Sequence, residues 1–272
     1  MEHTIVLTIS YLSDERREIL MALLDQLGFE GFEEQESALV ACISESLFDS
    51  TATKEVLQDY TNDYIIETVA PRNWNAEWEQ QYQPVIIDDF AAIRAHFHEP
   101  VTTVQHEIVI TPKMSFGTGH HATTRQMMLA MKAVDFEEKK VFDYGTGTGV
   151  LAILASILGA NHIVAMDIDV WCIENTTENL ERNQISNVGV LQGEQPPEGE
   201  QYDVLLANIN RHILLEQMSN MSAVIKSGGL LLMSGFYEED IPMLEESAEN
   251  YQLNKVTQSV QDKWACVLMR KQ

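Results

Sequence analysis

Residues 139–149, KKVFDYGTGTG, run from an apolar strand into a glycine-rich turn, and VLAILASILGA follows at once with the character of a buried helix. This unit constrains the fold more than any other feature. A fully apolar strand feeding straight into a helix belongs in a parallel sheet, where neighbouring strands can be joined only by a crossover. The pattern then repeats. HIVAMDID reads as a strand, VWCIENTTENLERNQ as an amphipathic helix, and VGVLQG, YDVLLANI and GGLLLMSG as further strands, with RHILLEQMSNMSAVIKS as a helix between the last two. Strands alternating with helices predict a doubly wound α/β domain covered on both faces. Residues 251–269 read as two more strands that close the sheet as an antiparallel hairpin.

The first 70 residues have a different rhythm. TIVLTIS (4–10) is a strand, and SDERREILMALLDQLGFEG is a helix that Ser13 can cap and Gly28 and Gly31 end. ALVACIS alternates as a strand does, TATKEVLQDY is a short helix and DYIIETVA a strand. Strand, helix, one or two strands, helix, strand suits a small ferredoxin-like α+β domain. PRNWNAEWEQQYQP, bounded by Pro71 and Pro84, breaks the pattern and reads as a partly helical linker. The expected organisation is thus residues 1–69, a linker over 70–84, and the α/β domain over 85–272.

Composition excludes several classes. Three scattered cysteines, Cys42, Cys172 and Cys266, form no C-x-x-C pair, which argues against a disulfide framework or a zinc cluster. The N-terminus is not a signal peptide and no membrane span is visible, so the expected location is the cytoplasm. The formal charge of −25 repels phosphate backbones; it either attracts basic partners or simply keeps the chain soluble, since net charge alone does not choose a partner. We expect no nucleic-acid or membrane partner, and a monomer.

Four motifs carry chemistry. In DYGTGTG, Gly145, Gly147 and Gly149 let the backbone turn tightly and approach a ligand, at the N-terminus of a helix with donors to offer. The G-x-G-x-G spacing differs from the G-x-G-x-x-G of a dinucleotide pyrophosphate site. Asp167 ends the next strand, where a carboxylate can hold both hydroxyls of a ribose, while Asp169 is placed to cap the following helix. Asn208, in ANIN after YDVLL, lies at a strand end facing the ligand crevice. Its amide carbonyl could fix the lone pair of an amine, with Asn210 competing for the helix cap. SFGTGHHATTR (115–125) carries a loop with Gly117 and Gly119. Adjacent His120 and His121 rarely converge on one ion, so no metal is expected, and Thr123 or Thr124 could cap the next helix.

Taken together, FGTGHHATTR, DYGTGTGVLAI, AMDID, LLANI, NWNAEWEQQYQPVII and DKWACVLM resemble the ribosomal protein L-eleven methyltransferase family along nearly the whole chain. The resemblance implies a ferredoxin-like domain that recognises substrate, a flexible linker and a class I methyltransferase domain using S-adenosylmethionine. It implies as partner a large-subunit ribosomal protein whose amines are trimethylated. Cofactor contacts then fall on Thr124, Gly145, Gly147, Asp167 and Asn208, with the loop of Phe116 and Gly117 closing over the methionine part. Asn208 and Thr124 are the expected catalytic pair. The chain departs from the family in having His120-His121-Ala122 where Thr-His-Pro is common, and Thr146 and Thr148 where Cys or Ser is common.

The mechanism expected is in-line displacement, dominated by alignment of the amine, with no dedicated general base. Rival readings are an NAD-dependent oxidoreductase, against which the glycine spacing argues, and an RNA- or protein-directed methyltransferase of other specificity. An adenine methyltransferase would carry Pro at 209, where this chain has Ile209. A non-enzymatic cofactor sensor is the third.

Overall fold

The computed structural model describes residues 3–10, 13–35, 37–70, 82–113, 115–197 and 199–272. The chain divides into two compact units, Met1–Gln81 and Tyr82–Gln272. Residues 71–81, most of the expected linker, lie outside the described residues.

In the first unit the elements run β1 (Thr4–Ser10), α1 (Asp14–Gln26), β2 (Glu30–Gln35), β3 (Ala38–Ser44), α2 (Ser50–Gln58) and β4 (Tyr64–Val69). The sheet order is β2-β3-β1-β4, every pair antiparallel. Period-2 alternation sends Ile5, Leu7 and Ile9 to the helix-covered face, opposite Ile43, Ala41 and Leu39, where Leu20, Leu24 and Leu57 close the core. Asp49 caps α2 by accepting from the N–H groups of Thr51 and Ala52 at 2.8 and 3.0 Å. Ser13 stands at the α1 cap position, but its side chain makes no cap bond there.

The second unit begins with a small sheet that the sequence reading missed: β5 (Val85–Ile87), β6 (Ala91–Ala95) and β7 (His106–Ile110). Then come α3 (Ala122–Met131), β8 (Lys140–Tyr144), α4 (Val150–Ile157), β9 (His162–Asp167), α5 (Val170–Arg182), β10 (Val188–Gln192), β11 (Tyr202–Asn208), α6 (Arg211–Val224), β12 (Ile225–Tyr237), α7 (Ile241–Glu249), β13 (Leu253–Gln261) and β14 (Trp264–Lys271). Helix α7 was also missed. Its apolar residues Ile241, Leu244 and Ala248 are too few and too widely spread among acids to stand out in the sequence.

These strands form one mixed seven-stranded sheet in the order β10-β9-β8-β11-β12-β14-β13. The first five run parallel, and β14 is antiparallel to both its neighbours, so the C-terminal hairpin expected from residues 251–269 is present. Side chains alternate between two cores. Val141, Ile163, Ala165 and Leu206 face α3 and α4, while Phe142, Met166, Leu205 and Met233 face α6 and α7. The chain walks outward from β8 through β9 to β10, then returns to the other side of β8 with β11. The C-terminal ends of β8 and β11 therefore flank a crevice that no crossover covers.

Helix α5 and its C-cap residue carry Asn175, Asn179 and Asn183 four residues apart on one face. Asn183 bonds both the N–H and the C=O of Val109, at 2.9 and 2.7 Å, and Asn179 accepts from the Thr111 N–H at 2.8 Å. The edge of β7 is thus finished by side-chain amides in place of a further strand.

Candidate functional site

At this crevice lies a cavity of about 610 Å³, lined by Phe116, His121, Gly145, Gly147, Asp167 and Asn208 among others. Five residues expected at a site from the sequence, Phe116, Gly145, Gly147, Asp167 and Asn208, therefore meet in one place. The other two stand just behind it. Thr124 is fully buried in the first turn of α3, with its Oγ1 3.4 Å from Asn208 Nδ2, and the Gly117 carbonyl accepts from the Thr148 hydroxyl at 2.8 Å.

The glycine turn differs from the expectation of free donors. Each of its N–H groups already has a partner inside the chain. Gly145 and Thr146 donate to the Met166 carbonyl, Gly147 to the Asp167 carboxylate, Thr148 to the Phe116 carbonyl and Gly149 to the Thr146 carbonyl. The N-terminus of α4 is answered by Asp143, whose carboxyl accepts from the Thr146 hydroxyl at 2.6 Å and from the Ala152 N–H. Burial of Asp143 pushes its carboxyl up to about 7, against the lowering effect of those bonds. The turn is therefore built for close approach of a ligand and not for cradling a phosphate.

Glycine is required here for packing. At Gly147, with φ +58°, an added Cβ would land on the carbonyl oxygen of Phe116, and at Gly145, with φ +75°, on the side chain of Ile209. Helix α5 holds the turn from outside. Thr176 donates to the Gly147 carbonyl at 2.9 Å, and Asn179 donates to the Thr148 carbonyl at 2.8 Å.

Asp167 accepts one backbone N–H on each oxygen, from Gly147 at 3.0 Å and Asp169 at 3.1 Å, and the Cys172 thiol also bonds the carboxylate, which keeps lone-pair capacity for a hydroxyl. Asp169 caps α5 through the Trp171 N–H. The Asn competition is decided in the same way. Asn210 caps α6 by accepting from the Ile213 N–H at 3.2 Å, which leaves Asn208 free of that task. Its Oδ1 is buried and has no hydrogen-bond partner among the described residues. A buried acceptor left bare is costly unless a ligand donor meets it. For α3, the cap is His121 and not Thr123 or Thr124; its ring accepts from the Thr123 N–H.

Several lining residues escaped the sequence reading. Trp264, at the start of β14, meets the cavity because β12 and β14 pair with Tyr237 opposite Trp264. Ile168 follows Asp167, and its side chain is 68% exposed at the cavity. Only the long-range pairing reveals Trp264, whereas Ile168 could have been found as the apolar neighbour of the expected ribose ligand. Cys172 also lines the cavity, but burial and the neighbouring Asp167 push its thiol up to about 11, so it stays protonated at neutral pH. No cluster of His, Cys, Asp and Glu able to hold a metal occurs among the described residues.

The sequence model of the family described as "Ribosomal protein L11 methyltransferase (PrmA)" matches residues 13–272. The chain belongs to this family. A ribosomal protein L11 methyltransferase of Phocaeicola vulgatus is 40% identical over 258 residues, 92% of each chain. That of Chlorobaculum tepidum is 39% identical over 267 residues, covering 93% of this chain and 91% of the other. Among solved structures, a ribosomal protein L11 methylase from Lactobacillus delbrueckii subsp. bulgaricus superposes with a TM-score of 0.65 at 26% identity. It covers 70% of this chain and 100% of that one. Family membership thus spans both units, including the N-terminal one. No helix among the described residues is long and apolar enough to cross a membrane.

Proposed function

We propose that this chain transfers methyl groups from S-adenosylmethionine to lysine side-chain and/or N-terminal amines of ribosomal protein L11. The observation that carries the reading is the bare, buried Oδ1 of Asn208 at the end of β11, opening on a cavity bounded by the glycine turn. The residues present fit the cofactor. Asp167 has acceptors left for the ribose hydroxyls, Ile168 offers apolar surface beside it, and the glycine turn allows close approach. The loop of Phe116 and Gly117 is docked on Thr148 over the same cavity.

Asp167, Ile168 and the glycine turn would hold S-adenosylmethionine, which would supply a methyl carbon on a sulfonium to the amine lone pair, with sulfur keeping the electron pair of the S–C bond. The chain's own residues orient the nitrogen. The Asn208 carbonyl accepts one N–H of the neutral amine and so aims its lone pair, and Thr124 holds the Asn208 amide in place from behind. The amine must lose a proton first, because a free lysine titrates near about 10.4. Burial beside a positive charge lowers that value, and the proton leaves to solvent. Alignment of this kind is worth roughly 7–11 kcal/mol in well-oriented systems.

The first unit, with its β2-β3-β1-β4 sheet, we read as a ferredoxin-like domain over residues 1–69 that recognises the protein substrate, joined by a linker over 70–84 to a class I methyltransferase domain over 85–272. The net charge of −25 suits a basic ribosomal protein. The expected setting is the cytoplasm, and the expected state a monomer.

The test is methyl incorporation from labelled S-adenosylmethionine into L11, with the modified amines located by mass spectrometry. Label on lysine or on the N-terminal amine is expected. Losing a hydrogen bond worth about 1.5–3 kcal/mol should lower kcat of Asn208→Ala roughly 10- to 150-fold, with cofactor Kd changed less than about threefold. Cofactor binding without any label would overturn methyl transfer in favour of a sensor.

A further inference from the structure

Three rings touch in series along one side of the cavity. Phe116 and His121 have centroids 5.3 Å apart, His121 and Trp264 4.6 Å, and the row continues to Tyr237, 4.3 Å from Trp264. Phe116, His121 and Trp264 line the cavity, and Phe116 and Tyr237 are 53% and 44% exposed. The row is fixed from behind. His121 is held as the cap of α3, and the buried Gln126 of the same helix donates to the Trp264 carbonyl at 2.9 Å while accepting from Ser259 at 2.9 Å.

The carboxylates that line this cavity are Asp167, Asp169 and Glu194. They follow β9 and β10, on one side of the switch point. On the other side, at the ends of β11, β12 and β14, the lining consists of Asn208, Ile209, Asn210, Gly235 and Trp264, without a carboxylate. A primary ammonium brings three N–H donors and a compact, strongly hydrated charge. The bare Asn208 Oδ1 answers one of them. A methylated nitrogen has fewer donors, a more diffuse charge and apolar methyl surface. Aromatic faces suit that ion, because the ring quadrupole attracts a cation without demanding hydrogen bonds.

We propose that Phe116, His121 and Trp264, with Tyr237 packed on Trp264 behind them, form a wall that binds the methylated ammonium, so that the site prefers amines already carrying methyl groups. A partly methylated amine is then retained, and the last methyl is favoured over the first. This rests on the amine methylation proposed above. It assigns the degree of methylation to one wall of the cavity, separate from the acceptor that aims the lone pair.

The test compares two otherwise identical lysine peptides, one unmodified and one Nε-trimethylated, titrated by calorimetry into the purified full chain without cofactor. The wild type should bind the trimethylated peptide at least about tenfold more tightly, or 1.4 kcal/mol. Trp264→Leu keeps apolar bulk and removes the ring face, so the preference should fall to about twofold or less. Trp264→Phe should keep most of it. If Trp264→Leu does not fold, the exposed Phe116→Leu replaces it and should at least halve the preference. In methylation of the unmodified peptide, Trp264→Leu should shift products from higher toward lower methylation states. Equal binding of the two peptides by the wild type, or a preference that survives loss of the ring, overturns the inference. A wild type that methylates L11 but shows no such preference removes this inference alone, whereas a wild type that methylates nothing removes the function on which it rests.

Discussion

Gly147→Ala separates what the glycine turn does for the fold from what it does for the ligand. Gly147 has φ +58°, where alanine costs about 1–2 kcal/mol relative to its preferred region. That strain is present with or without ligand and should appear as lost stability, about 2–8 °C in Tm for a domain of this size. The second effect is local. The new Cβ would collide with the Phe116 carbonyl oxygen and lie 3.3 Å from its carbon. Backbone cannot turn aside as a side chain can, so the Phe116–Gly117 segment must lift. Lifting breaks the Thr148 N–H bond to Phe116 at 3.0 Å and strains the Thr148 hydroxyl bond to Gly117 at 2.8 Å. Losing one to two such bonds costs about 0.5–3 kcal/mol, which adds to the loss of stability and also weakens any ligand that needs the segment docked. Cofactor Kd by calorimetry should therefore rise roughly 2- to 150-fold. Gly145→Ala is the control, because its Cβ meets the Ile209 side chain and leaves the Phe116 backbone untouched. It should lose stability with a smaller change in Kd. If Gly147→Ala weakens binding no more than Gly145→Ala, docking of Phe116 on Thr148 does not matter for the ligand.

Asp143 should leave a signature in stability against pH. Its carboxyl sits at about 7 against an ordinary 3.8, so from about pH 4 to 7 the folded chain holds a proton that the unfolded chain has released. Stability must fall as pH rises through that window, by up to about 4 kcal/mol, and level off above it. The difference between wild type and Asp143→Asn in urea denaturation should shift against the wild type between pH 5 and pH 8; parallel curves would remove the argument. Thr176→Val leaves the Gly147 carbonyl without its 2.9 Å donor and should weaken cofactor binding about two- to tenfold while lowering Tm by a few degrees. Association with L11 should slow as salt rises from 50 to 300 mM if the charge of −25 steers encounter; stopped-flow rates flat across that range would show that it does not.

The legible parts of the chain were those written in local periodicity. The elements from β8 to β12 and the closing hairpin could be read because buried parallel strands are apolar runs, and helices between them keep a 3.6 period. β5 to β7 were missed because three short strands of mixed pattern, AAIRA among them, carry no strong period. Within the site, residues at strand ends, Asp167 and Asn208, were legible because topology alone sends them to the crevice. Capping could be argued but not decided: Asp169 took its helix as expected, Asn210 left Asn208 free, and His121 displaced both threonines. Trp264 was invisible as a lining residue, since it reaches the cavity only through antiparallel pairing with a strand far back in the chain. The saturation of the glycine turn was equally hidden, because its partners, Met166 and Asp167 at the end of β9 and Phe116 in the loop before α3, come from two separate segments.

The asparagine ladder of α5 acts as an index. An apolar helix face can rotate a little or slip along its neighbours at small loss, because one methyl replaces another. A face carrying Asn179 and Asn183, matched to backbone atoms of Thr111, just after β7, and of Val109 in β7 at 2.7–2.9 Å, has one setting, since any other leaves part-buried amides without partners. Asn179 and Thr176 also hold the carbonyls of Thr148 and Gly147. The same setting that locks the helix to the small sheet is thereby copied onto the glycine turn. The shape of the turn is dictated by a helix that reads its position from the edge of β7, so substitutions there should reach the cavity without touching any residue that lines it.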